Sequence, residues 1–183
     1  MQTRSPQLVR QVVLIGLMAS GKTTVGRGLA ARLGCAFVDN DAALEARTGR
    51  TARAIAEADG AGALHAREAE ALLAALDRPQ RAVVAAAAGA VTEPAVVAAL
   101  AHHDVVYLRA DPAVLAERIA REPDDGHRPF VAGDALGVLR EQFAERDRPY
   151  REIASVVVDA GAGTEVVVAE IARALACPDH SDS

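Results

Sequence analysis

Gly16-Leu17-Met18-Ala19-Ser20-Gly21-Lys22-Thr23 satisfies every position of the pattern G-x-x-x-x-G-K-[ST]. Its flanks agree with it. Val12-Val13-Leu14-Ile15 is a short β-branched run that predicts a strand, and Val25, Leu29 and Leu33 recur at the four-residue spacing of a helix face. A strand, a glycine turn and a helix in that order form a cradle for phosphate: glycines let backbone N–H groups wrap an anion, and the helix N-terminus adds a positive partial charge. Lys22 reaches toward the outer phosphates, and Thr23 offers a hydroxyl to magnesium. The expected nucleotide-binding set is therefore Gly16, Ala19, Ser20, Gly21, Lys22, Thr23 and Thr24. The chain has no N-K-x-D-type segment at the end of a later strand, which argues against a guanine-specific switch.

Outward from this loop, strands and helices alternate. Gly34 supplies a helix stop, Ala36 to Val38 read as a second strand, and Asp39, Asn40 and Asp41 fall where it ends. Helical segments over about 42–77 are broken near Gly49 and Gly60. Further strands are predicted at Ala82 to Ala86, Val105 to Leu108 and Ser155 to Val158, with helices beginning near Pro94, at Asp111-Pro112, near Asp134 and at Thr164. The pattern predicts an α/β fold with a five-stranded, mainly parallel sheet covered by helices on both faces. Ligands in such sheets bind beyond the carboxyl ends of the strands, where Gly16, Asp39, Asp41 and Gly89 fall. Residues 123–133 lack apolar periodicity and read as a mobile loop, and residues 1–10 and 177–183 read as flexible tails around a single domain at 11–176.

Composition narrows the function. A chain of 183 residues with 51% hydrophobic and 25% charged residues is an ordinary globular protein with room for one core. The net charge of -5 supplies no general basic field for a nucleic-acid backbone, and 3% aromatic residues leave few rings to stack bases. The polar first ten residues do not read as a secretory signal, so the expected location is the cytoplasm, with no membrane partner and a monomeric state. Cys35 and Cys177 make no disulfide or zinc framework; Cys35 opens an apolar run and reads as a buried reduced thiol.

The stretch from Val12 to Leu175 resembles the shikimate kinases, a branch of the nucleoside-monophosphate-kinase-like P-loop fold. Phe37-Val38-Asp39-Asn40-Asp41 is similar to that family's D-x-D segment, and Thr48-Gly49-Arg50 and Val105-Val106-Tyr107-Leu108 stand at their usual places. Arg128-Pro129 resembles the start of its lid, and Arg146 to Tyr150 its R-x-P-L-Y segment. The resemblance implies an ATP- and Mg2+-dependent kinase of a small hydroxylated substrate. By it, Asp39 orients magnesium through water with Thr23 as its partner, and Asp41 binds the acceptor hydroxyls and helps accept the reacting proton. Lys22, Asp41 and Arg128 form the catalytic set, with Arg128 closing over ATP from the lid and Arg118 lying against the adenine. Carboxylates at a strand end beside a phosphate loop suit hard cations and polyol hydroxyls. Either aspartate could instead cap the helix that begins near Ala42.

The implied acceptor set is Asp41, His65, Ala88, Gly89 and Arg146, and here the sequence departs from the family. Its G-G-G run is Ala87-Ala88-Gly89, and a methyl at a left-handed position costs roughly 1 to 2 kcal/mol. Its F-R pair is Leu64-His65, so the arginine that would clamp a carboxylate is absent. Arg67 lies two residues on, a turn of about 200° that points it away. The last loop, Gly161-Ala162-Gly163, lacks an arginine often found beside adenine. Three readings remain open at this point: a shikimate-type kinase, a kinase of another cyclitol or hydroxy metabolite, and a noncatalytic ATP-binding module.

Overall fold

The computed structural model describes residues 9–121 and 134–176. Five strands build one sheet: β1 (Val12–Ile15), β2 (Ala36–Asp39), β3 (Ala82–Ala85), β4 (Asp104–Arg109) and β5 (Val156–Asp159), in the order β2-β3-β1-β4-β5. All four neighbouring pairs are parallel. Every residue of β1 and β3 is buried, as their uninterrupted apolar runs require of strands covered on both faces.

The helices are α1 (Lys22–Leu33), α2 (Asn40–Thr48), α3 (Ala52–Asp59), α4 (Ala61–Leu76), α5 (Pro94–Leu100), α6 (Pro112–Arg121), α7 (Ala135–Ile153) and α8 (Thr164–Ala176). α1 turns Val25, Gly26, Leu29 and Ala30 onto the sheet. Gly26 is needed there because a Cβ would strike the ring of Phe37. The main core runs through β1, β3, β4 and the inner faces of α1, α7 and α8, while a second cluster of Leu44, Ala52, Ile55 and Leu64 ties α2, α3 and α4 into one unit beside the site.

Most boundaries agree with the sequence reading, and the differences have local causes. β4 extends one residue at each end because Asp104 N donates to Gln11 O and Ala160 N donates to Arg109 O. Ser155 donates from both its backbone N and its hydroxyl to Val105 O, so β5 starts at Val156. α2 begins at Asn40 rather than Ala42 because Asp39 ends its strand and caps the helix, accepting from Asp41 N at 3.1 Å. The capping role therefore falls on Asp39, not Asp41. Cys35 is half-buried against the core rather than fully enclosed. The expected lid at 123–133 with Arg128, Cys177 and nearly all of both expected tails lie outside the described residues. Among the described residues no helix is long and apolar enough to cross a membrane.

Candidate active site

β2 and β3 lie on one side of β1 and β4 and β5 on the other, and this switch in strand order opens a crevice at the carboxyl ends of the strands. The loop from Gly16 to Gly21 crosses it with Gly16 at φ 155°, Ala19 at φ 59° and Gly21 at φ 88°. Ala19 is the one non-glycine residue with positive φ among those described, and it alternates with glycine to turn successive N–H groups inward. A Cβ on Gly16 would lie 2.7 Å from both Leu108 O and Ser20 Oγ, so only glycine lets β1 enter this turn. Lys22 Nζ donates to Gly16 O at 2.8 Å and to Leu17 O at 3.0 Å, holding the loop closed around an anion-sized concavity. Burial lowers the Lys22 ammonium to about 8 against the opposing pull of Asp41, Asp39 and Glu68. An arriving phosphate would restore the charge that burial disfavours.

Thr23 Oγ1 donates to Asp39 Oδ2 at 2.8 Å, so α1 and β2 bring two hard oxygen ligands together beside the loop. That donor set suits magnesium, which keeps waters and phosphate oxygens for its remaining positions. No group of three or more His, Cys, Asp or Glu side chains placed to hold a metal occurs among the described residues.

A cavity of about 370 Å³ runs from this pair into the space between α2, α4 and α7. Lys22, Thr23 and Asp39 line one end; Asp41, His65, Glu68, Gly89 and Arg146 line the other. A second concavity on the far side of the loop is lined by Thr24, Arg118 and Ala160 to Thr164. Arg118 braces it, donating to Ala160 O at 2.6 Å and Ala19 O at 3.3 Å.

A shikimate kinase family model matches residues 18–176. The chain is 44% identical over 148 residues to a shikimate kinase of Thiobacillus denitrificans, covering 80% of this chain and 79% of that protein. It is 40% identical over 173 residues to a shikimate kinase of Mycobacterium avium, covering 91% and 96%. The chain belongs to the shikimate kinase family. The fold agrees: shikimate kinase from Acinetobacter baumannii in complex with shikimate superposes with a TM-score of 0.86 at 30% identity, covering 94% of this chain and 96% of that one.

Within this shikimate kinase fold, the described candidate residues gather around the two concavities. Gly16 stands at the base of the loop, and Ala19, Gly21, Thr23 and Thr24 line its rim; Ser20 is buried with an unpartnered hydroxyl. Ala88, Gly89, His65, Asp41 and Arg146 line the other end of the same cavity. Arg67 turns away and pairs with Asp59 at 3.2 Å, as the helical geometry predicts. The strain expected at Ala87 and Ala88 is absent: neither has positive φ, and Gly89 sits at φ -71°. Gly89 is required for space instead. A Cβ there would overlap the His65 ring and lie 2.8 Å from Glu68 Oε2.

Sequence reasoning missed Glu68 and Asn40. Glu68 is 6% exposed and its Oε2 has no hydrogen-bond partner, although it lines the cavity. Burial, with Asp41 adding repulsion, pushes its carboxyl up to about 8 despite Arg146 and Lys22. Glu68 is therefore mostly neutral at pH 7. Its signal was a carboxylate between Leu64 and Leu72 on the apolar stripe of α4. Asn40 is fully buried and donates from Nδ2 to Glu68 O at 3.2 Å, fixing the start of α2 to the middle of α4.

Proposed function

We propose that this protein transfers the γ-phosphate of MgATP to a hydroxyl of shikimate. The observation that carries the reading is the continuity of one cavity, in which the phosphate-loop residues Lys22 and Thr23 face Asp41 and Arg146 across a space of small-molecule size.

The proposed roles follow from this placement. Backbone N–H groups of residues 19–24 and Lys22 hold the phosphates, because the loop presents donors and one buried cation to them. Thr23 and Asp39 hold Mg2+, which when bound neutralises charge on the transferred group. Arg118 and the Ala160 to Thr164 loop enclose the base side of the nucleotide. Asp41 accepts a hydrogen bond from the acceptor hydroxyl and orients it, at a strand end that also holds the metal pair. Arg146 faces the acceptor carboxylate as a permanent cation, and Tyr150 supports it on α7. Glu68, as a neutral acid, can donate a hydrogen bond to an acceptor oxygen. Arg128 is proposed to act from the segment outside the described residues, as the cation that shields the transferring phosphoryl group.

A steady-state assay of ADP release decides the matter. Purified protein with MgATP should turn over with shikimate and show only background with quinate, uncharged cyclitols, simple sugars or no acceptor. Turnover on a cyclitol and none on shikimate would overturn the acceptor. Binding of MgATP without turnover on any acceptor would leave a nucleotide-binding module.

A further inference from the structure

The acceptor end of the cavity is poorly supplied with permanent positive charge. Lys22 is committed to the phosphate loop through Gly16 O and Leu17 O, which leaves Arg146 as the fixed cation lining that end among the described residues. His65 stands beside it on the cavity wall, half-buried, with its ring edge packed against Gly89. Its Nε2 would lie 2.7 Å from a Cβ at Gly89 and Glu68 Oε2 would lie 2.8 Å from the same point, so imidazole and carboxyl converge on one spot of the acceptor wall.

We propose that His65 is a proton-gated half of the acceptor's carboxylate clamp: binding an anionic acceptor draws one proton from solvent onto the imidazole, and the imidazolium then pairs with the carboxylate beside Arg146. The inference rests on the reading of shikimate as acceptor and adds to it a residue that sets specificity by protonation. No bond other than the N–H on the ring forms, and the proton comes from water or buffer.

The groups facing His65 set the direction. Burial and the positive charge of Arg146 on α7 hold its pKa below that of an ordinary imidazole, with Glu93, just past the Gly89 turn, opposing. Free His65 is therefore mostly neutral at pH 7. From its own helix Glu68 faces the same wall as a largely neutral acid, and Asp41 and Lys22 lie across the cavity from it. A carboxylate seated between Arg146 and His65 cancels the repulsion from Arg146 and adds an opposite charge, so both changes favour the imidazolium. Acceptor affinity should then fall as the pH rises from the free toward the bound value of His65, with a limiting slope of about tenfold per pH unit. Glu68 acts in the same direction at higher pH, because its ionisation near 8 places a negative charge beside the acceptor.

The test is the pH dependence of the shikimate KM at saturating MgATP, between about pH 5.5 and 8.5. It is joined by calorimetric titration of the protein with shikimate in two buffers of different ionisation enthalpy. The expected wild-type result is a KM rising at least threefold from pH 6 to 7.5, with net proton uptake in the calorimeter. His65→Gln should have a high, flat KM over that interval and no uptake. His65→Arg should have a low, flat one. Glu68→Gln should keep the lower limb and lose any rise near pH 8. A flat wild-type KM with no uptake, or a His65→Gln profile that rises like wild type, would overturn the role of His65 even if shikimate is phosphorylated well. Absence of turnover with shikimate at every pH, with MgATP bound, would instead overturn the underlying acceptor reading.

Discussion

The Tyr150 hydroxyl donates to the carbonyl oxygen of Ala88 at 2.9 Å, joining the last turn of α7 to the loop that follows β3. Four residues earlier on α7, Arg146 lines the acceptor end of the cavity, and Ala88 lines its opposite wall. The bond thus ties together two of the elements that line the pocket. Tyr107 packs edge-on against Tyr150 at 5.2 Å between ring centroids and donates to Asp147, which also accepts from Arg109 at 2.8 Å. The position of α7 is held from β4 by this set of contacts.

Tyr150→Phe keeps the ring and removes the hydroxyl, leaving Ala88 O without its donor and Arg146 without its contact to Tyr150. Urea denaturation should show a loss of about 1 to 2 kcal/mol. The KM for shikimate should rise while the KM for ATP stays near its wild-type value, because the phosphate loop is untouched. An equal rise in both would mean that the bond supports the whole fold and not the acceptor wall.

Gly89→Ala tests the packing of the same wall. Its methyl would overlap the His65 ring and press on Glu68, so the acceptor residues must shift. A KM for shikimate raised about tenfold or more is expected, which corresponds to roughly 1.4 kcal/mol of lost binding. Stabilisation by MgATP should persist.

Lys22→Ala should abolish most of that stabilisation. For the wild type, a nucleotide concentration a hundred times its dissociation constant should add about 2.7 kcal/mol, visible as a thermal shift. Without ligand the variant should melt somewhat below wild type, because the carbonyls of the buried Gly16 and Leu17 lose the donor that Lys22 supplies. A full MgATP shift in the variant would remove Lys22 from the phosphate site.

What the sequence revealed and what it hid divide by range of interaction. The strand, loop and helix around Gly16 to Thr23 are specified by neighbours in the chain, and the structure places them as the motif predicts. The direction of Arg67 was equally legible, since helix geometry alone turns it away. The backbone of Ala87 and Ala88 was not: its φ values depend on how Tyr150, 62 residues on, holds the turn. Asp39 was read as a metal residue with capping as a lesser alternative, yet its two oxygens do separate work, Oδ1 on Asp41 N and Oδ2 on Thr23. Glu68 was hidden because a glutamate in an amphipathic helix reads as solvated until packing against α2 and the Gly89 turn is known.

Glu68 also sets the terms of the last prediction. Its folded carboxyl is raised from 4.5 to about 8, so the protonated form is the one the fold favours. The stability linked to this group is fully present below the unfolded value and is lost as pH rises through the folded one. At pH 7 most of that loss has already occurred, because the unfolded chain gains by ionising and the folded chain does not. Glu68→Gln removes the titration while keeping the shape and a hydrogen-bond donor. The unliganded variant should be more stable than wild type at pH 7 and 8, by an amount on the order of 1 kcal/mol or more, and the advantage should shrink toward pH 4.5. Thermal melts of both proteins across that range measure it directly. Activity on shikimate should fall in the same variant, since a residue kept at a stability cost in a substrate pocket is kept for what it does there. A variant no more stable at pH 8 than at pH 4.5, relative to wild type, would show that Glu68 ionises freely in the fold and that its burial is relieved by water.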